Sequence, residues 1–320
     1  MPRPSEWMAA SACHRSNDAA MVVFHHDPFV PFDRQPSSES PGTRPGIRRS
    51  VPVPDSWVPQ SSDAARLRVG ARPLDPAQWV SVPDDDWGPT LAMKRALLTE
   101  RPQEVVACLP GSEEACDEVA AGVLQSVGEP LSMESGIDAL VDAALRVADD
   151  LCILQDDVHG TPVLTAAVLC SPNRWRLAEK IGGTMSSIHR PVARYEDDLD
   201  SPVNSMLRRL SVGRPVWRIN WGLANHPSLF QPDVPPATPD MDIADMWFRV
   251  EWQTLRRLPV TGATLFTIRT HVERLADFME RDYRVVHDFA DLVSKIPENV
   301  AEYKSIAPYR YRVYDYLSSR

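Results

Sequence analysis

Apolar side chains recur at helical spacing between residues 89 and 149 and at strand spacing from residue 151 onward, and this change of period divides the chain. Residues 89–100 (PTLAMKRALLTE) open on Pro89, suited to a first helical turn. In 113–127, Val119, Ala120, Val123, Leu124 and Val127 form one stripe, and Glu113 and Glu114 favour the N-terminal end of the macrodipole. Residues 136–149 repeat the stripe with Ile137, Leu140, Val141, Ala144 and Leu145. These three segments predict a helical layer. The runs 151–157 (LCILQDD) and 161–170 (TPVLTAAVLC), joined through Val158, His159 and Gly160, predict a β-hairpin. Helical text resumes from Arg174 to Met185, and Ser201-Pro202 opens a second helix that reaches Leu210. Strands are predicted at 215–224, 246–257 and 262–270, and helices at 271–279 and 284–304 close the pattern.

Two strands, a helical insert and three more strands give an α+β fold: a PAS-like antiparallel sheet of five strands, with the insert across one face and flanking helices. Residues 1–62, rich in Pro, Ser, Arg and Asp, predict a largely irregular extension, within which MVVFHHDPFVPFD (21–33) is apolar enough to dock. The PAS-like domain with its preceding helical layer is predicted over 63–280, and a helical tail over 281–320. The tail carries five tyrosines between Tyr303 and Tyr316, to which the sequence attaches no chemistry. Strand alternation separates Trp217, Ile219, Trp221 and Leu223 from Arg218 and Asn220, and separates Phe248, Val250 and Trp252 from Arg249, Glu251 and Gln253. Arg218, Asn220, Glu251 and Gln253 are therefore expected on one face, pointing into a cavity under the insert. The alternative is that these polar phases face water.

Composition narrows the function. Of 320 residues, 43% are hydrophobic and 24% charged, and a net charge of −10 without any basic run argues against a nucleic-acid surface. A small-molecule substrate or a protein partner is the better expectation. Five scattered cysteines without a C-x-x-C pair predict free thiols in a reducing compartment. The N-terminal residues lack the apolar core of a signal peptide, and no window approaches a membrane span, so a cytoplasmic protein is expected. No G-x-S-x-G elbow, P-loop, dinucleotide fingerprint or H-E-x-x-H motif occurs.

Candidate chemistry gathers between Gly182 and Pro259: His189 in SSIHRPV, Arg218 and Asn220 in WRINW, and Glu251 and Gln253 in RVEWQTLRRLP. An imidazole is suited to axial ligation of iron, with its second nitrogen fixed by a carbonyl or carboxylate. His226, His271, His159 and the His25-His26 pair are rivals, and a hydrogen-bonded structural histidine is the bland alternative. In order and spacing these motifs resemble the haem-dependent oxidative N-demethylase alpha-subunit (HRQ) family, from about Arg68 to about Leu275. The resemblance implies a haem b held by His189, and oxygen activated for monooxygenase-type oxidation of a small amine. It implies Arg218, Glu251 and Gln253 as catalytic groups and Asn220, Arg269 and His271 around the cofactor. It further implies electrons from a separate NAD(P)H, flavin or iron–sulfur reductase subunit. In that family the residue before the glutamine is commonly basic, and here it is Trp252; an aromatic hydroxyl is common where His271 stands. The alternative function is a non-catalytic haem or ligand sensor on the same scaffold, and behind it a cofactor-free scaffold protein.

Overall fold

Among the described residues, seven strands form one antiparallel sheet, two more than predicted. They are β1 (Arg72–Pro73), β2 (Val106–Cys108), β3 (Asp150–Asp156), β4 (Pro162–Val168), β5 (Val216–Ala224), β6 (Trp247–Arg257) and β7 (Thr264–Arg274), in the spatial order β1-β5-β6-β7-β3-β4-β2. The five long strands are those that the alternation predicts. β1 and β2, at the two edges, are too short to carry a period. The computed structural model describes residues 53–63, 69–81, 87–192, 195–233, 241–304 and 306–319, all within one compact unit. The extension up to residue 52, with its expected docking segment, lies outside the described residues.

Among the described residues, four α-helices precede the β3–β4 hairpin: α1 (Gly88–Glu100), α2 (Pro102–Val105), α3 (Glu113–Ser126) and α4 (Ile137–Ala144). The hairpin turns as predicted, with Gly160 at φ 75° and Asp157 accepting the His159 and Thr161 amides. The insert between β4 and β5 holds α5 (Leu177–Lys180), α6 (Met185–His189), a π-helical turn (Tyr195–Leu199) and α7 (Asp200–Arg209). The single helix expected over 174–185 is thus broken: Gly182 sits at φ 76°, and Thr184 starts a new helix by accepting the Ser187 amide. After the sheet come α8 (Leu275–Phe278), α9 (Tyr283–Lys295), α10 (Glu298–Tyr303) and α11 (Arg310–Ser318). The helix expected over 271–279 is shortened to Leu275–Phe278, because β7 stays paired with β6 as far as Arg274 opposite Trp247. The one expected over 284–304 divides before Pro297, a residue without an N–H to continue the ladder.

Each face of the sheet has its own covering. On one face, α1, α3 and α4 bury Leu151, Ile153, Ala166, Val168 and Leu265, while α9, α10 and α11 bury Leu223, Phe248 and Val250. On the other, the insert packs Leu177, Met185 and Leu207 against Cys152, Leu154, Leu255 and Ile268. The C-terminal helices are fastened by an aromatic knot in which Phe289 meets Phe248, Phe278 and Trp221 with ring centroids 4.7, 5.3 and 5.3 Å apart. Phe289 is fully buried. Phe289→Ala should therefore lower the unfolding free energy by about 3–5 kcal/mol in urea titration. A loss below about 1 kcal/mol would mean that these helices do not share the sheet's core.

Candidate active-site cavity

Between the insert and the sheet lies a cavity of about 900 Å³, toward the upper end of the range for ligand pockets. His189 and Ile188 of the insert line it, as do Arg218, Asn220, Glu251 and Gln253 of the sheet and Tyr303 and Lys304 of the C-terminal helices. The four sheet residues share a face because the register sets Arg218 opposite Gln253 and Asn220 opposite Glu251. They share a face and line the cavity as sequence alternation led one to expect, but Trp217, Ile219 and Trp221 of the other phase line part of it as well.

Glu251 is the centre of this group. Its Oε2 accepts from Asn220 Nδ2 at 3.1 Å and Gln253 Nε2 at 3.0 Å, and its Oε1 lies 3.6 Å from Arg249 Nε. Arg249, 1% exposed, donates to Leu229 O at 3.1 Å and Ser171 O at 2.7 Å. A buried guanidinium is costly unless it is paired; here the two terminal nitrogens are matched by carbonyls, while Nε has only the Glu251 ion pair and no hydrogen-bond partner among the described residues. Further inward, Asp150 accepts the amides of Cys170 at 2.9 Å and Ser171 at 2.8 Å. The Lys94 ammonium beside it caps the carbonyls of Val147 and Asp149. The cavity carboxylate is therefore joined to the core through Arg249, Ser171 and Asp150.

His189 ends α6, and its Nδ1 lies 2.9 Å from the Met185 carbonyl one turn back. A carbonyl only accepts, so Nδ1 carries the proton and Nε2 keeps its lone pair. The ring stacks on Tyr195 at 4.7 Å and 8°. Burial, partly opposed by the Met185 hydrogen bond and aided by Arg218 and Lys180, holds its pKa below that of a free imidazole. The neutral ring is thus favoured, which is the form a metal ligand requires.

Arg269 and His271 are not brought to the cavity. They were expected at its rim on a strand ending near residue 270, but β7 runs four residues further and alternation turns both to the opposite face. There they pair across β6 with Trp252 and Val250. The His271 ring meets Trp57 at 4.8 Å and Trp87 at 5.0 Å, and the Arg269 guanidinium lies over both indoles. Trp252 continues the stack, 4.8 Å from Trp57 and 4.2 Å from Trp217. Among the other rivals, His226 serves its own loop by accepting the Ser228 amide at 3.1 Å.

Three cavity residues were not singled out from sequence. Arg174 has φ 64°, in the left-handed region that costs a bulky L-residue about 1–2 kcal/mol, and its amide donates to Gln231 O at 2.8 Å. Its guanidinium reaches Tyr309 and Leu223 O. Tyr303 and Lys304 come from the Tyr-rich tail, whose density of aromatic hydroxyls was the available signal. Lys304 Nζ donates to Trp221 O at 2.5 Å and lies 4.5 Å from the Trp221 ring centroid.

The imidazole and the buried, amide-braced carboxylate thus line one cavity of an α+β protein. The family model described as haem-dependent oxidative N-demethylase, alpha subunit-like, matches residues 125–314, more than half of the chain, and the chain belongs to that family. The family's description is that of a haem-dependent oxidative demethylase. Among the described residues, no helix is long and apolar enough to cross a membrane, and Cys108, Cys116, Cys152 and Cys170 are free thiols.

The Asp150 link has a pH signature. Burial raises its pKa from 3.8 to about 6, against the pull of Lys94, two amides and Arg249. Between those values the unfolded chain has released the proton and the folded one retains it, so stability contributed at low pH is lost as pH rises from about 4 to about 6. Relative to Asp150→Asn, the wild type should lose on the order of 3 kcal/mol across that window in denaturant titrations. Parallel pH profiles for the two proteins would contradict the assignment.

Proposed function

We propose that the cavity holds a haem b through His189 and that the protein is the oxygen-activating, amine-oxidising component of a multi-subunit oxidative N-demethylase. The observation that carries this reading is the Met185 carbonyl fixing His189 Nδ1, which leaves Nε2 as a neutral ligand inside a cofactor-sized cavity. The residues present fit a haem in two further respects. Leu154, Leu164 and Ile188 supply apolar wall for a macrocycle, and Arg218 and Lys304 supply cations for its carboxylates. The succession of two strands, a helical insert and three strands supports a PAS-like reading of the scaffold.

Bound there, the haem would supply binding and reduction of oxygen. The chain's own part is to hold the amine and manage charge. Glu251, with Oε2 occupied by two amides, offers Oε1 as counter-ion to a protonated amine, and it takes up the proton when the nitrogen must be neutral. Asn220 and Gln253 keep that carboxylate from rotating. Arg218, whose Nε has no hydrogen-bond partner among the described residues, is a donor for negative charge developing in the cavity. In this reading the electrons come from a separate reductase subunit, in keeping with the family's description as an alpha subunit. A cytoplasmic setting suits the free thiols. A non-catalytic sensor has no use for a buried carboxylate held by amides, and this group favours the enzyme over that alternative.

His189→Ala protein should lose most of its haem, read as pyridine haemochrome per mole of protein. Glu251→Gln should keep its haem while amine turnover falls about a hundredfold. Full haem content with an unchanged spectrum in His189→Ala would transfer the ligand role to another histidine. Unaltered turnover in Glu251→Gln would remove the proposed amine site.

A further inference from the structure

We propose that Arg174, Arg218 and Lys304 together form a carboxylate-binding end of this cavity. The proposal rests on the reading that an organic cofactor and an amine substrate share the cavity, and it names what the substrate or cofactor must carry.

Charge accounting motivates it. The cavity's carboxylates are Asp55, Glu179 and Glu251. Asp55 pairs with Arg281, Glu179 is exposed, and Glu251 is engaged by Arg249, Asn220 and Gln253. Among the described residues, the three cations are thus left without an acidic side chain of their own. Arg218 Nε is buried and has no hydrogen-bond partner among the described residues. Among the described residues, Lys304 meets a carbonyl and an indole face, both neutral. Burial lowers its pKa to about 8 against the pull of Glu251, with repulsion from Arg218 and Arg174 adding to the lowering.

Arg174 adds the second observation. A bulky side chain in the left-handed region persists where the surroundings over-determine it. Here the loop 225–231 does so: Gln231 O accepts the Arg174 amide, and Gln231 Nε2 is itself fixed by the carbonyls of His226 at 2.8 Å and Ser228 at 2.6 Å. The loop thus holds a guanidinium on the cavity wall beside Lys304 and Arg218. Guanidinium groups match carboxylates in geometry as well as charge, and gathered cations are destabilising until an anion joins them. The carboxylate is either a haem propionate or that of the substrate, which would then be an N-methylated amino acid and not a simple alkylamine.

The experiment uses purified wild type, Arg174→Gln, Lys304→Gln and the charge-preserving Arg174→Lys, each checked for an unchanged thermal unfolding midpoint. Haem loss to a scavenger is timed for protein reconstituted with haem or with haem dimethyl ester. Binding of N,N-dimethylglycine and of dimethylamine is followed by the haem absorption band and by thermal shift. If the cations hold a propionate, the two Gln variants lose haem about ten- to a hundredfold faster, the weight of one charge-assisted hydrogen bond, and the diester abolishes the difference. If they hold a substrate carboxylate, haem loss is unchanged, and dimethylglycine binds the Gln variants more weakly by a similar factor while dimethylamine does not discriminate. In either case Arg174→Lys recovers part of the effect. Equal haem loss together with equal dimethylglycine binding in all four proteins overturns the proposal. Should the protein take up no haem, the cofactor reading fails by itself, and the thermal shift with dimethylglycine against dimethylamine still decides whether the carboxylate end exists.

Discussion

Two opposite charges in the middle of the sheet, Arg249 and Glu251, set the terms for everything around them. At 1% and 7% exposure neither can be left to water, and each unmatched atom would cost several kcal/mol. Their needs explain otherwise unrelated features. The Ser171 and Leu229 carbonyls turn toward Arg249, Asp150 holds the turn that presents Ser171, and the side-chain amides on β5 and β6 are spent on one carboxylate oxygen. What remains is a directed group: one carboxylate oxygen beside a guanidinium, in a cavity large enough for an organic cofactor.

The sheet separates two chemistries by a single step of alternation. The face that carries Arg218, Asn220, Glu251 and Gln253 looks at the insert and the cavity. The reverse face of the same strands carries Trp217, Trp252, Arg269 and His271, stacked with Trp57 and Trp87 and continuous with the hydrophobic clusters under the helices. That aromatic wall makes the register costly to shift, since a slip of one residue would bury the polar group among indoles. The specificity of the site is thereby secured from behind.

Much of this was legible in the residues. The clean alternation through WRINW and RVEWQ put four polar groups on one face, and the long strands and the hairpin at Gly160 follow from period and turn chemistry. What escaped the sequence were effects of distance along the chain. The edge strands at Arg72–Pro73 and Val106–Cys108 are too short to show a period. The continuation of β7 to Arg274 depends on pairing with Trp247, twenty-seven residues earlier, and that pairing moved Arg269 and His271 off the cavity. Arg174, Tyr303 and Lys304 reach the site from the start of the insert and from the tail, where no local pattern marks them. Their roles are visible only once the fold closes.

The central claim is that His189 presents a neutral nitrogen to a haem iron in this cavity. The visible absorption spectrum of the purified wild-type protein, recorded before and after dithionite, tests it most directly. The claim requires an intense Soret band that shifts on reduction, with the visible bands of a histidine-ligated haem b. A colourless protein that remains so after incubation with haem would contradict it.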